Sequence, residues 1–156
     1  MSGLDLSSPI TGSAQAGFTS PTYSTAVDNP PALNGKQDYV TSLGGTQTGA
    51  RIHSVSSPFT LARFRPVKMK TLPAANPLTG IIKNIPNNVY KAITRIGLIP
   101  AANQPAIPVP ITTTIPVPAG ADTYDIAQLK AGLSAHIGML NQISSALGVT
   151  CANGTI

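Results

Sequence analysis

The sequence contains no Glu, no Trp and one Cys, and its five acidic residues are all Asp. Each absence removes a class of chemistry. A lone Cys151 excludes an intramolecular disulfide, and no closely spaced cysteine pair exists to hold a metal. The two histidines, His53 and His136, fall in a strand-like and a helix-like stretch, and of the five Asp only Asp122 and Asp125 lie close together. Those two belong to a helix start, so neither a facing pair of carboxylates nor three or four zinc ligands can be assembled. No glycine-rich loop ends in Lys-Ser or Lys-Thr to cradle phosphate. Catalysis is not expected, and neither is a cofactor or a metal. The start, MSGLDLSSPITGSAQAG, has no basic opening and no apolar run of signal-peptide length, and no stretch reaches the roughly 18 apolar residues of a membrane span. A cytosol-like compartment and no membrane partner are expected.

Charge is also scarce, at 10% of residues, and aromatics make up 4%, yet the apolar fraction is 42%. A disordered chain is more charged and less apolar. At this length one ordinary domain is expected, and a monomer with so little charge leaves mildly apolar surface that favours burial against copies of itself. The net charge is +5, and its distribution is uneven. Arg51, Arg63, Arg65, Lys68, Lys70, Lys83, Lys91 and Arg95 all lie among the 83 residues between Asp38 and Asp122, which contain no carboxylate. A local excess of cations without acids suits a polyanion, because each phosphate neutralised releases a counterion. A surface kept basic only for solubility would mix signs.

Residues 1–35 are rich in Ser, Thr, Gly and Pro and read as an extended arm or weak hairpin. Residues 36–118 read as strands and loops, with strand-like runs at Tyr39 to Leu43, Ala50 to Val55, Phe59 to Lys70, Val89 to Ile99 and Ile111 to Val117. Leu72 to Asn88 and Pro100 to Pro110 read as surface loops. Pro108, Pro110, Pro116 and Pro118 remove ladder donors on one side of the last strand, which places it at a sheet edge or makes it short. A helical region is expected over 121–148, opened by Asp122 and Asp125 and closed by Gly148, with a tail at 149–156. Its apolar stripe is Ile126, Leu129, Leu133, Ile137, Leu140 and Leu147, and Gly132 and Gly138 predict a kink or a division into two helices near Gly138. Strands followed by helix, without alternation, indicate an α+β domain with an antiparallel meander sheet covered by the C-terminal helices.

Period-two spacing assigns the cations to faces. Arg63 and Arg65 share one face of their strand, and Lys91, Ile93 and Arg95 share one face of the next, opposite Tyr90, Ala92, Thr94 and Ile96. These two rows are expected on a single basic sheet face. Lys68 and Lys70 have the opposite parity unless Pro66 bulges the strand.

The succession VYKAITRIGLIP, ITTTIPVP, AGADTYDIAQLKAGLSAHIGMLNQISSALGV and TCANGTI resembles the coat proteins of single-stranded RNA bacteriophages. The resemblance covers residues 87–156 well, 50–70 by pattern and the first 50 hardly at all. It implies an interlocked homodimer whose helices cover the partner's sheet, an icosahedral shell with the sheet facing inward, and single-stranded RNA as the packaged partner. The protein would then reside in the virion and assemble in the host bacterial cytoplasm. The RNA-binding residues it implies are Arg63, Arg65, Lys91, Arg95, Thr112 and Thr114, with Lys68 and Lys70 beside them. Ile111, Thr113 and Ile115 would face the helices. The helical stripe from Ile126 to Leu147 would form the dimer interface, and the inward strands would also bind an RNA hairpin as a translational repressor. Three departures stand out: a last strand shortened by Pro108 and Pro110, the long Ser/Pro-rich start, and the long loop from Leu72 to Asn88. Two other readings are a nucleic-acid-binding regulator without a shell and a surface structural subunit.

Overall fold

The computed structural model describes residues 3–156; Met1 and Ser2, the first residues of the expected arm, lie outside the described residues. Six strands form one antiparallel meander in chain order: β1 (Ile10–Thr11), β2 (Thr19–Asp28), β3 (Gly35–Thr46), β4 (Phe59–Phe64), β5 (Asn87–Leu98) and β6 (Ile107–Pro118). A short turn of helix, α1 (Ala121–Tyr124), and a long helix, α2 (Ile126–Asn153), follow. This is the expected order of sheet then helix.

Several boundaries differ from the expectation. The stretch read as an arm or weak hairpin holds the hairpin of β1 and β2, and β2 extends further than expected, pairing with β3 along most of its length. Ala50 to Val55 is not a strand; the His53 amide donates to the Val40 carbonyl and the Arg51 guanidinium to the Gly97 carbonyl, 2.9 Å away. β4 ends at Phe64: the Arg65 amide still donates to the Asn34 carbonyl in the β3 register, but the Arg65 carbonyl is taken by the Asn34 side-chain amide and Pro66 has no donor to continue the ladder. β6 is not shortened. It begins at Ile107 and pairs with β5 through all four of its prolines. The Ala119 amide donates to the Pro86 carbonyl in the same register, so odd-numbered residues of β6 turn their amides toward β5 and the prolines fall on the outer edge. β6 is an edge strand, as the prolines predicted.

The helical region divides at Asp125, not at Gly138. Gly120, with φ of 93°, starts α1, and the Asp122 carboxylate accepts from the Gly120 amide rather than from the following turn. Asp125 precedes α2 without a side-chain cap. Gly148 does not end the helix. α2 runs through part of the expected tail to Gly154, whose left-handed conformation lets its amide donate to the Thr150 carbonyl. A Cβ at position 148 would meet the end of the Gln15 side chain, so the glycine leaves room for that amide beside α2. That contact is held by Gln15 donating to the Ser144 hydroxyl, Ser144 to the Ala14 carbonyl, and Ser13 to Asn141.

Little of this fold is interior. The buried apolar residues are Val40, Ala62, Val117 and Ala119, and Ser144 is the one buried residue of α2. The exposed surface is 10861 Å², whereas a compact monomer of this mass exposes about 7,400 Å². The chain folds with surface left over.

Candidate nucleic-acid interface

The register assigns every central side chain to one of two sheet faces. Arg63 pairs with Ala92, Leu61 with Thr94, and Ala92 in turn with Thr113. This face lies under the helices: Tyr90, Ala92, Ile115 and Val117 share a cleft with Ile126, Leu129 and Leu133 of α2. Ile111, Thr113 and Ile115 are on it, as the resemblance implied.

The opposite face carries Lys91 flanked by Phe64 and Thr114, Ile93 flanked by Ala62 and Thr112, and Arg95 flanked by Thr60 and Pro110. Lys91, Thr112 and Thr114 are exposed and Arg95 is half-buried. Lys91 and Arg95 are four residues apart on one strand, about 13 Å, so they can address different phosphates of one polymer. The threonine hydroxyls beside them can donate to phosphate or to base edges. Four of the expected residues are therefore brought together.

Arg63 is not among them. It lies on the helix side, where its guanidinium donates to the Asp38 carboxylate and to the Leu4 carbonyl. The side chains of Arg63 and Asp38 are 12% and 9% exposed, so this cation is neutralised inside the monomer and unavailable to a polyanion. Lys91 and Arg95 share a face as their parity predicted, but Arg63 lies on the opposite face of the sheet. Arg65 lies beyond the end of β4 and is exposed, as are Lys68 and Lys70 in the connection to β5. The Lys70 backbone is anchored both ways by Asn88, 2% exposed, which accepts from its amide and donates to its carbonyl. Among the described residues, no carboxylate pairs with Arg65, Lys68, Lys70, Lys83, Lys91 or Arg95.

The stripe on α2 is only partly covered. Leu129 and Leu133 are half-buried, whereas Ile126, Ile137, Leu140 and Leu147 are exposed, Ile137 at 65%. A cleft of about 580 Å³ separates Ile111 of β6 from Ile137 and Leu140 of α2. None of the described residues fills it.

A solved structure, the virus-like particle of bacteriophage ESE020, superimposes on this chain with a TM-score of 0.95 and 51% sequence identity, over 97% of this chain and 99% of that one. The chain belongs to the bacteriophage coat-protein family. No protein-family model and no curated protein matches it. For this coat protein, the likeness spans nearly the whole length and so reaches well beyond residues 87–156. Its role is structural, as a component of the virion. Among the described residues no helix is long and apolar enough to cross a membrane.

Proposed function

We propose that this coat protein forms a homodimer, that dimers close into an icosahedral shell, and that the shell packages single-stranded RNA against the Lys91–Arg95 face. The observation that carries the reading is the pairing of a one-sided basic sheet with an under-covered apolar helix. The surface beyond that of a compact monomer is about 3,500 Å² per chain, more than the roughly 800 Å² per partner of a standard interface. That area serves both dimer and shell contacts. Ile126, Leu129, Leu133, Ile137, Leu140 and Leu147 supply the dimer interface, with the open cleft over Ile111 taking apolar side chains from the partner. Lys91, Arg95, Thr112 and Thr114 face the RNA, supplemented by Arg65, Lys68 and Lys70 on exposed loops. The virus-like particle formed by the relative supports a shell here.

Packaging needs only phosphate contacts, whereas a repressor must also read a hairpin. Ile93 and Pro110 occupy positions on the open face where hydrogen-bonding side chains would be needed. Sequence-independent packaging is the better supported activity, with assembly in the host cytoplasm. Expression of the chain alone tests the reading by electron microscopy and by the RNA that survives nuclease. Closed particles with protected RNA are expected. A stable monomer free of RNA would overturn it.

A further inference from the structure

Aromatic side chains are few in this chain, four Tyr and three Phe with no Trp, and most are committed elsewhere. Phe59 and Tyr90 belong to the helix side through their pairings with Ile96 and Ile115, and Tyr23 is on that side with its ring 5.8 Å from that of Phe59. Phe18 lies in the β1–β2 turn and Tyr124 in α1. The other two, Tyr39 and Phe64, are on the open face, and each stands in a row with a cation. Phe64 pairs directly with Lys91, whereas Tyr39 pairs with Thr60, which pairs in turn with Arg95. Both rings are held. Phe64 lies across the place a Gly35 side chain would take, and a Cβ there would collide with two atoms of the ring. The Tyr39 ring rests against His53, 5.3 Å between centroids, and the His53 ring is fixed by accepting from the Phe59 amide at Nδ1, 3.0 Å away. Both aromatic residues are half-buried, so each ring is anchored yet still meets solvent. The acid on this face, Asp28, is occupied by the Gln37 side-chain amide and the Asn29 amide, from which its carboxylate accepts.

Resting on the reading of this face as the RNA interface, we propose that Phe64 and Tyr39 are stacking platforms for unpaired bases, with Lys91 and Arg95 taking the phosphates beside them. The shell then favours single-stranded RNA over a duplex carrying the same number of phosphates. Every base has a π-face, so stacking on an aromatic ring selects unpaired bases without selecting sequence. That matches a face on which the side chains of Ile93 and Pro110 offer no hydrogen bond to a base edge. In a duplex the bases are stacked on one another and only the backbone reaches the sheet. Phe64 and Lys91 are direct cross-strand neighbours, with Cβ atoms about 5 Å apart, and Tyr39 and Arg95 are two strands apart, about 10 Å. Each couple therefore offers a ring and a cation to one stretch of backbone. The two rings lie about 14 Å apart, four residues along and one strand across. Successive bases of a stacked strand are roughly 3.4 Å apart, so the rings take bases that are not stack neighbours and hold the strand extended over the face.

Filter binding by the full-length protein tests the platforms with three ligands that carry the same number of phosphates: a mixed-sequence single-stranded RNA, an abasic strand, and a perfectly paired duplex. The wild-type chain is expected to bind the single-stranded RNA roughly tenfold or more tighter than either of the others. Tyr39→Leu and Phe64→Leu should each shrink that preference and together abolish it, while affinity for the abasic strand and the salt slope stay as in the wild type. Tyr39→Trp should retain the preference, which separates stacking from a role in holding the sheet. The wild-type comparison needs no variant, so it stands even where Phe64→Leu loosens β4. Equal wild-type affinity for the base-bearing and abasic strands, duplex binding as tight as single-strand binding, or a preference that survives the double substitution would overturn the platforms and leave packaging by phosphate contacts standing. Failure to bind any of the three would sink the RNA reading of this face and the platforms with it.

Discussion

Arg63 and Asp38 form an ion pair on the helix side of the sheet, between β4 and β3, and the arm's Leu4 carbonyl accepts from the same guanidinium. A basic residue taken from an acid-free stretch thus works as a structural tie between arm and sheet. Removing one partner of so covered a pair leaves the other charge without compensation, at roughly 3 kcal/mol. Arg63→Ala is expected to lower the midpoint of chemical denaturation markedly, while Arg63→Met with Asp38→Leu recovers much of the loss.

Lys91 and Arg95 have no such internal role. Replacing both by Ala should change folding stability by no more than about 0.5 kcal/mol. It should also reduce the salt dependence of RNA binding, since two phosphate contacts on a single strand account for a slope of about 1.4 in log K against log salt. Filter binding across a salt series measures this. An unchanged slope would remove these two residues from the interface.

Leu133 and Ile137 lie on the stripe of α2, one half-buried and the other exposed in the monomer. Leu133→Asp or Ile137→Asp places an unpaired carboxylate in the proposed dimer interface. Sedimentation should show loss of dimer in both. Wild-type dimer in either would mean that α2 is not the interlocking element.

Gly148 leaves room for the Gln15 side-chain amide beside α2. Gly148→Leu is expected to displace that side chain from Ser144 and to increase amide exchange at Ala14 and Gln15, with the sheet amides unaffected.

Much of the sheet was legible because period-two apolar spacing and proline positions mark β5 and β6 directly. The edge position of β6 followed from four prolines of one parity. β2 was legible only as part of an arm or weak hairpin, since TSPTYSTAVD has few large apolar side chains and its length as a strand comes from pairing with β3. The helix stripe was readable from its spacing, but its division was not. Gly120 in a left-handed conformation and the break at Asp125 end α1 after one turn, whereas Gly132 and Gly138 stay inside α2 because nothing forces the backbone there. For the candidate interface, alternation within a strand tells which residues share its face, and Lys91 with Arg95 follow. It cannot tell how one strand's face maps onto the next. That mapping is the cross-strand register, in which Arg63 meets Ala92 and so lies opposite Lys91.

The central claim is that the face bearing Lys91, Arg95, Thr112 and Thr114 looks into a shell that holds RNA. A cryo-electron microscopy map of particles made by this chain tests it most directly. The account predicts Lys91 and Arg95 on the inner wall with nucleic-acid density beside them and α2 on the outer side. A map with that face turned outward, or with α2 lining the interior, would contradict it.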